Sequence, residues 1–173
     1  MIQYLRLYGG GHLYALSPTF TGKATFYNKT LLDQLSMSYP TDGMNWSELL
    51  DFAANVERAR KGRSMDAVSF FYNRDMVELV TKIAESRHIQ YIDEARNVTF
   101  ETNGWRDIIS NVLEKARAGT IMTKEMDGDR SVVENAAFTE GNVVLTVDYS
   151  YLLDRLQQSE FDWGVVRCHD ADG

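Results

Sequence analysis

The chain has 173 residues, 44% of them hydrophobic and 25% charged, with 18 basic against 25 acidic residues and a formal net charge of −7. The apolar share excludes a disordered chain, and the lone Cys168 excludes a small disulfide scaffold. No stretch approaches the roughly 20 apolar residues that a membrane-spanning helix needs, and a chain this acidic repels polyphosphate, which argues against nucleic acid as a partner.

The first residues, Met1 to Arg6, lack the charged start, apolar run and small-residue cleavage site of a signal peptide, and residues 1–11 read as flexible chain. Two extended segments follow: Tyr14–Leu16, broken by Ser17-Pro18, and Ala24–Tyr27, which is rich in β-forming residues. A short helix is expected from Leu31 to about Met37, then a turn-rich linker from Ser38 to Gly43. Asn45, with Glu48 three residues on, has the form of a capping box, and Leu49, Phe52, Ala53 and Val56 recur at helical spacing up to a stop at Gly62. The short basic run Arg58, Arg60, Lys61 and Arg63 reads as the solvated end of that helix, where cations complement the dipole.

Val68–Phe71 reads as a buried strand, followed by a helix carrying Met76, Val77, Val80 and Ile83. Residues 88–100 read as irregular, and the span from Gly104 to Ala118 as a helix ended by Gly119. Residues 120–129 read as a polar loop and Ser131–Phe138 as a helix. Val143–Val147 is the clearest strand. A helix with Leu152, Leu153 and Leu156 and a last strand around Gly164–Val166 complete the chain. Helices placed between buried strands imply an α/β fold, a mostly parallel sheet with helices on both faces. The expected core includes Phe26, Leu49, Phe52, Phe70, Ile108, Val112, Leu145 and Leu153. Trp46, Trp105 and Trp163 read as structural.

Motifs for catalysis are lacking. His12, His88 and His169 have no metal-ligand spacing, and Cys168-His169 are adjacent residues that point to opposite faces of an extended chain. Asp127-Gly128-Asp129 falls short of a calcium loop, Gly9-Gly10-Gly11 is not followed by Gly-Lys-Ser/Thr, and no Gly-x-Ser-x-Gly occurs. No cofactor and no metal are expected, and an enzyme is the weaker hypothesis.

Five stretches in order carry a resemblance. Gly11-His12-Leu13-Tyr14-Ala15-Leu16-Ser17-Pro18, Phe26-Tyr27-Asn28-Lys29-Thr30-Leu31-Leu32 and Tyr39-Pro40-Thr41 through Asn45-Trp46-Ser47-Glu48-Leu49 resemble segments of bacterial ABC-transporter extracellular solute-binding proteins, the maltose-binding-protein-like family. Phe138-Thr139-Glu140-Gly141-Asn142-Val143-Val144-Leu145-Thr146 and Phe161-Asp162-Trp163-Gly164-Val165-Val166 resemble two more. The family is longer than this chain, and Arg167-Cys168-His169 departs from the proline usual after the last motif. The resemblance implies that residues 1–173 form one excised lobe, the second, of a type II periplasmic-binding-protein fold. Segments 17–21 and 165–170 would cross between lobes.

The resemblance further implies a solute, a sugar first, held between two lobes for the membrane permease of an ABC importer. The parent protein would be extracellular, periplasmic or lipid-anchored, and the isolated lobe would self-associate through uncovered apolar surface. An α/β enzyme or a ligand-sensing receptor domain on a similar fold is the alternative. Ligands in open parallel sheets sit beyond the carboxyl ends of strands. That rule selects Phe20, Thr21 and Lys23, then Tyr72, Asn73 and Arg74, then Asp148, Tyr149, Ser150 and Tyr151. Phe20, Tyr72, Tyr149 and Tyr151 would offer aromatic faces, and Thr21, Asn73, Asp148 and Ser150 hydrogen-bond groups. Tyr151 lies where the resemblance places a sugar-stacking aromatic.

Overall fold

A computed structural model of the chain describes residues 12, 22–72, 74–93, 95–123 and 136–167. The expected strand at Tyr14–Leu16, the loop at Asp127–Asp129, both ends of the chain and most of the expected crossover segments lie outside them.

The elements in chain order are β1 (Lys23–Asn28), α1 (Lys29–Gln34), α2 (Trp46–Gly62), β2 (Val68–Tyr72), α3 (Met76–Ser86), α4 (Asn103–Arg117), β3 (Ile121–Thr123), α5 (Ala136–Thr139), β4 (Val143–Tyr149), α6 (Leu152–Leu156) and β5 (Trp163–Val166). The five strands form one sheet in the order β3-β2-β4-β1-β5. β2 pairs in parallel with both β3 and β4, whereas β1 runs antiparallel to β4 and to β5. The sheet is therefore mixed: four strands share a direction and β1 opposes them. The expected α/β class holds, and the reversed strand is what the sequence pattern did not disclose.

Side chains alternate across the sheet, and the two faces are covered differently. Tyr27, Phe70 and Tyr72 face a large core built with Leu49, Ala53 and Val56 of α2, Leu79 and Ile83 of α3, and Ile108 and Val112 of α4. Phe26 and Phe71, on the opposite face, pack with Phe138, Val143, Leu152 and Leu156 beneath the short helices α5 and α6. Each buried side chain of this size contributes about 1.5–3 kcal/mol of transfer free energy, so the α2–α4 layer carries most of the stability.

α2 starts where the sequence predicts. Asn45 Oδ1 accepts from the Glu48 N–H at 3.0 Å, and Glu48 Oε2 accepts from the Asn45 N–H at 2.9 Å, which completes the capping box. Trp46 is buried against the edge of Tyr72, with ring centroids 6.0 Å apart and an interplanar angle of 82°. Three expectations need correction. Ile121–Thr123 is a strand rather than the start of a polar loop; three residues are too few to show a periodicity. Phe52 is only partly buried. Leu153 is exposed, because the five-residue helix α6 turns Leu152 and Leu156, four residues apart, toward the sheet.

Candidate functional site

β1 runs against its neighbours, so its first residue lies at the same edge of the sheet as the last residues of β2 and β4. The register pairs Lys23 with Tyr149 and Ala24 with Asp148. Tyr72 ends β2 two strands away, and Arg74 and the first turn of α3 follow it. The described members of the three predicted groups thus meet at one edge. Phe20, Thr21 and Asn73 lie outside the described residues.

Glu78 is the hub of this edge. Asp75 caps α3 by accepting from the Glu78 N–H at 2.7 Å, which places the Glu78 carboxylate in the first helical turn. Its Oε1 lies 3.3 Å from Lys23 Nζ and accepts from the Tyr72 hydroxyl at 3.2 Å. Its Oε2 lies 3.8 Å from Arg74 Nε. Partial burial opposes the Arg74 charge, but the Glu78 carboxylate and then the Tyr149 and Tyr151 hydroxyls favour it, and the guanidinium pKa is raised. Arg74 is therefore a permanent cation on an exposed arm. Sequence reasoning missed Glu78; the signal was the pair Asp75 and Glu78, which reads as a helix start and nothing more.

The aromatic groups divide. Tyr149 and Tyr151 stack with centroids 5.8 Å apart at 24°, and Lys23 Nζ lies 5.1 Å from the Tyr149 centroid. Tyr151 is 39% exposed, and its hydroxyl donates to Asp148 Oδ1 at 3.0 Å. The same oxygen accepts from the Tyr149 N–H at 2.7 Å, and the Asp148 side chain is itself buried. Tyr72 differs from expectation. It shares the face of Phe70, stacks on that ring at 6.4 Å and is 1% exposed, so its aromatic face belongs to the core and only its hydroxyl points toward the edge. Ser150 donates its N–H to the Gly22 carbonyl at 2.9 Å. The helix beginning after it is only five residues long, and the Leu153 and Asp154 N–H groups donate to the Ser150 and Tyr151 carbonyls, so it offers no anion site.

This arrangement presents a stacked tyrosine pair flanked by the cations of Lys23 and Arg74 and the carboxylates of Glu78 and Asp148. Among the described residues no group of three or more His, Cys, Asp or Glu could hold a metal ion. Among the described residues, surface cavities also lie elsewhere. One of 500 Å³ is lined by Lys82, Glu85, His88, Tyr91 and Trp105 among others, and an apolar groove of 280 Å³ runs between α3 and α4 past Val77, Val80, Ile109 and Leu113.

No protein-family model and no curated protein matches the chain. Solved structures do. An ABC substrate-binding protein of Listeria monocytogenes in complex with cycloalternan superposes with a TM-score of 0.69 at 16% identity, covering 90% of this chain and 39% of that one. The maltose-bound MalE3 of T. maritima gives 0.64 at 14% identity, covering 91% and 41%. A chitin oligosaccharide binding protein gives 0.61 at 18% identity, covering 94% and 43%. The chain has the fold of a lobe of these solute-binding proteins. It spans about two fifths of their length, between 39% and 43%.

Proposed function

We propose that this chain is one lobe of a carbohydrate-binding protein serving an ABC importer, and that the edge carrying Tyr149, Tyr151, Arg74 and Glu78 is its wall of the ligand cleft. The observation that carries this reading is the stacked tyrosine pair at the carboxyl end of β4, Tyr149 partly buried and Tyr151 exposed, in a fold shared with proteins solved with cycloalternan and maltose and with a chitin oligosaccharide binding protein. An aromatic face receives the apolar side of a sugar ring, and carboxylate and guanidinium groups beside it hydrogen-bond the ring's hydroxyls.

The chemistry is binding, not turnover. Ligand would close two lobes around itself, and closure is driven by contacts that exist only when both walls are present. The partner is then the membrane permease of the importer, reached by the full-length protein outside the cytoplasmic membrane. Titration of the chain with maltose, laminaribiose and chito-oligosaccharides, followed by NMR, tests the reading. Chemical-shift changes confined to Tyr149, Tyr151 and Arg74, with affinity in the millimolar range or weaker, about −4 kcal/mol, are expected. Shifts confined to the cavity at His88 and Tyr91, or none with any sugar, would overturn it.

A further inference from the structure

We propose that Lys23 is a positioning residue: it sets the orientation of the Tyr149–Tyr151 pair from below and makes no ligand contact of its own. The inference rests on the reading of this edge as a sugar site and goes beyond it by separating the residue that holds the platform from the residues that form it.

The row has a fixed order. Glu78 Oε1 holds Lys23 Nζ at 3.3 Å, Lys23 Nζ lies 5.1 Å from the Tyr149 centroid, and Tyr149 stacks on Tyr151 at 5.8 Å. The register produces this order: Lys23 and Tyr149 are directly opposed on antiparallel strands, where side chains on one face lie about 5 Å apart. Lys23 is partly buried, with 17% of its side chain exposed, whereas Tyr151 at the other end of the row is an exposed residue. A lysine side chain this covered, with its ammonium bound to Glu78 and 5.1 Å from the Tyr149 centroid, is better placed to attract the π face of Tyr149 than to reach a ligand. Asp148 anchors the far side of the pair through the Tyr151 hydroxyl, so the two rings are held from both ends.

The test compares Lys23→Met, which keeps the length and removes the charge, with Lys23→Arg, which restores it. Three readouts are used: the ring signals of Tyr149 and Tyr151 in ¹³C-tyrosine NMR, thermal unfolding, and affinity for maltose, laminaribiose and chito-oligosaccharides. In the unaltered chain the Lys23 side-chain methylene protons next to the ammonium should be shifted upfield by the Tyr149 ring, and Tyr149→Leu should abolish that shift. Lys23→Met should move the ring signals of both tyrosines and weaken binding about three-fold, with little change in the unfolding midpoint. Lys23→Arg should restore signals and affinity. Ring signals unchanged in Lys23→Met, or sugar-induced shifts at the Lys23 ammonium itself, would overturn the proposal. Ring signals that respond as stated while no sugar binds would support the positioning role and remove the sugar reading instead.

Discussion

The ring of Tyr27 fills the space that a β-carbon on Gly164 would need: such a carbon would lie 2.2 Å from the ring Cζ and 2.4 Å from the hydroxyl oxygen. The two residues are paired across β1 and β5. Tyr27 is buried and also packs on Tyr39, with centroids 5.5 Å apart, so its ring cannot simply swing away.

Gly164→Ala should therefore destabilise the fold by about 1–3 kcal/mol, the usual range for overpacking. Urea unfolding measures it. In a Tyr27→Leu background the same substitution should cost much less, because the clashing atoms are gone. Equal costs in both backgrounds would place the strain elsewhere.

Glu57 should make stability depend on acid pH. Glu57 is 3% exposed, and its carboxylate accepts from Ser69 Oγ at 2.6 Å and Arg60 Nε at 2.8 Å, with Lys61 Nζ at 3.1 Å. Burial alone would raise its pKa, but hydrogen bonds from Arg60, Ser69 and Lys61 outweigh that, and the pKa is lowered from its ordinary 4.5. A depressed folded pKa contributes stability above the unfolded value that is lost as pH falls through the folded one. Unfolding midpoints of the unaltered chain should drop as pH falls below 4.5, and Glu57→Gln should flatten that part of the profile. Glu57→Ala at neutral pH should cost on the order of 3 kcal/mol, because Ser69 and Arg60 lose a buried acceptor. Parallel profiles for Glu57→Gln and the unaltered chain would refute the assignment.

Asn45→Ala removes one half of the capping box of α2 and should cost about 1 kcal/mol. Thermal unfolding reads it, and Asn45→Ser should recover most of the loss. An unchanged midpoint would mean that packing of Trp46 alone fixes the helix start.

Tyr151→Ala should cost about 1 kcal/mol of stability, because the stack on Tyr149 and the hydroxyl bond to the buried Asp148 are both lost, and should weaken sugar binding several-fold. Unchanged affinity in that variant would exclude Tyr151 from the cleft wall.

Much of this architecture is legible because local patterns and packing agree. Val143–Val147 is an unbroken apolar and β-branched run, as a strand covered on both faces must be. Asn45 and Glu48 announce the start of α2 at the residue where it occurs. The direction of β1 is not legible, since an antiparallel and a parallel strand covered on both faces carry the same residues, and only its partners decide. Tyr72 shows how a strand end misleads: an aromatic beside polar residues suggests a cleft, yet its spacing of two from the buried Phe70 already assigns it to the core face. Glu78 was hidden for a different reason. A glutamate in a first helical turn is explained by the helix dipole, and only the fold brings Lys23 and Arg74 to it.

The reversed strand has a mechanical consequence. The chain passes from Gly22 into β1 at the tyrosine edge, where the Ser150 N–H donates to the Gly22 carbonyl and Lys23 faces Tyr149. A load applied at Gly22 would therefore meet first the bonds that seat Ser150 and Tyr149, before the interior of the sheet.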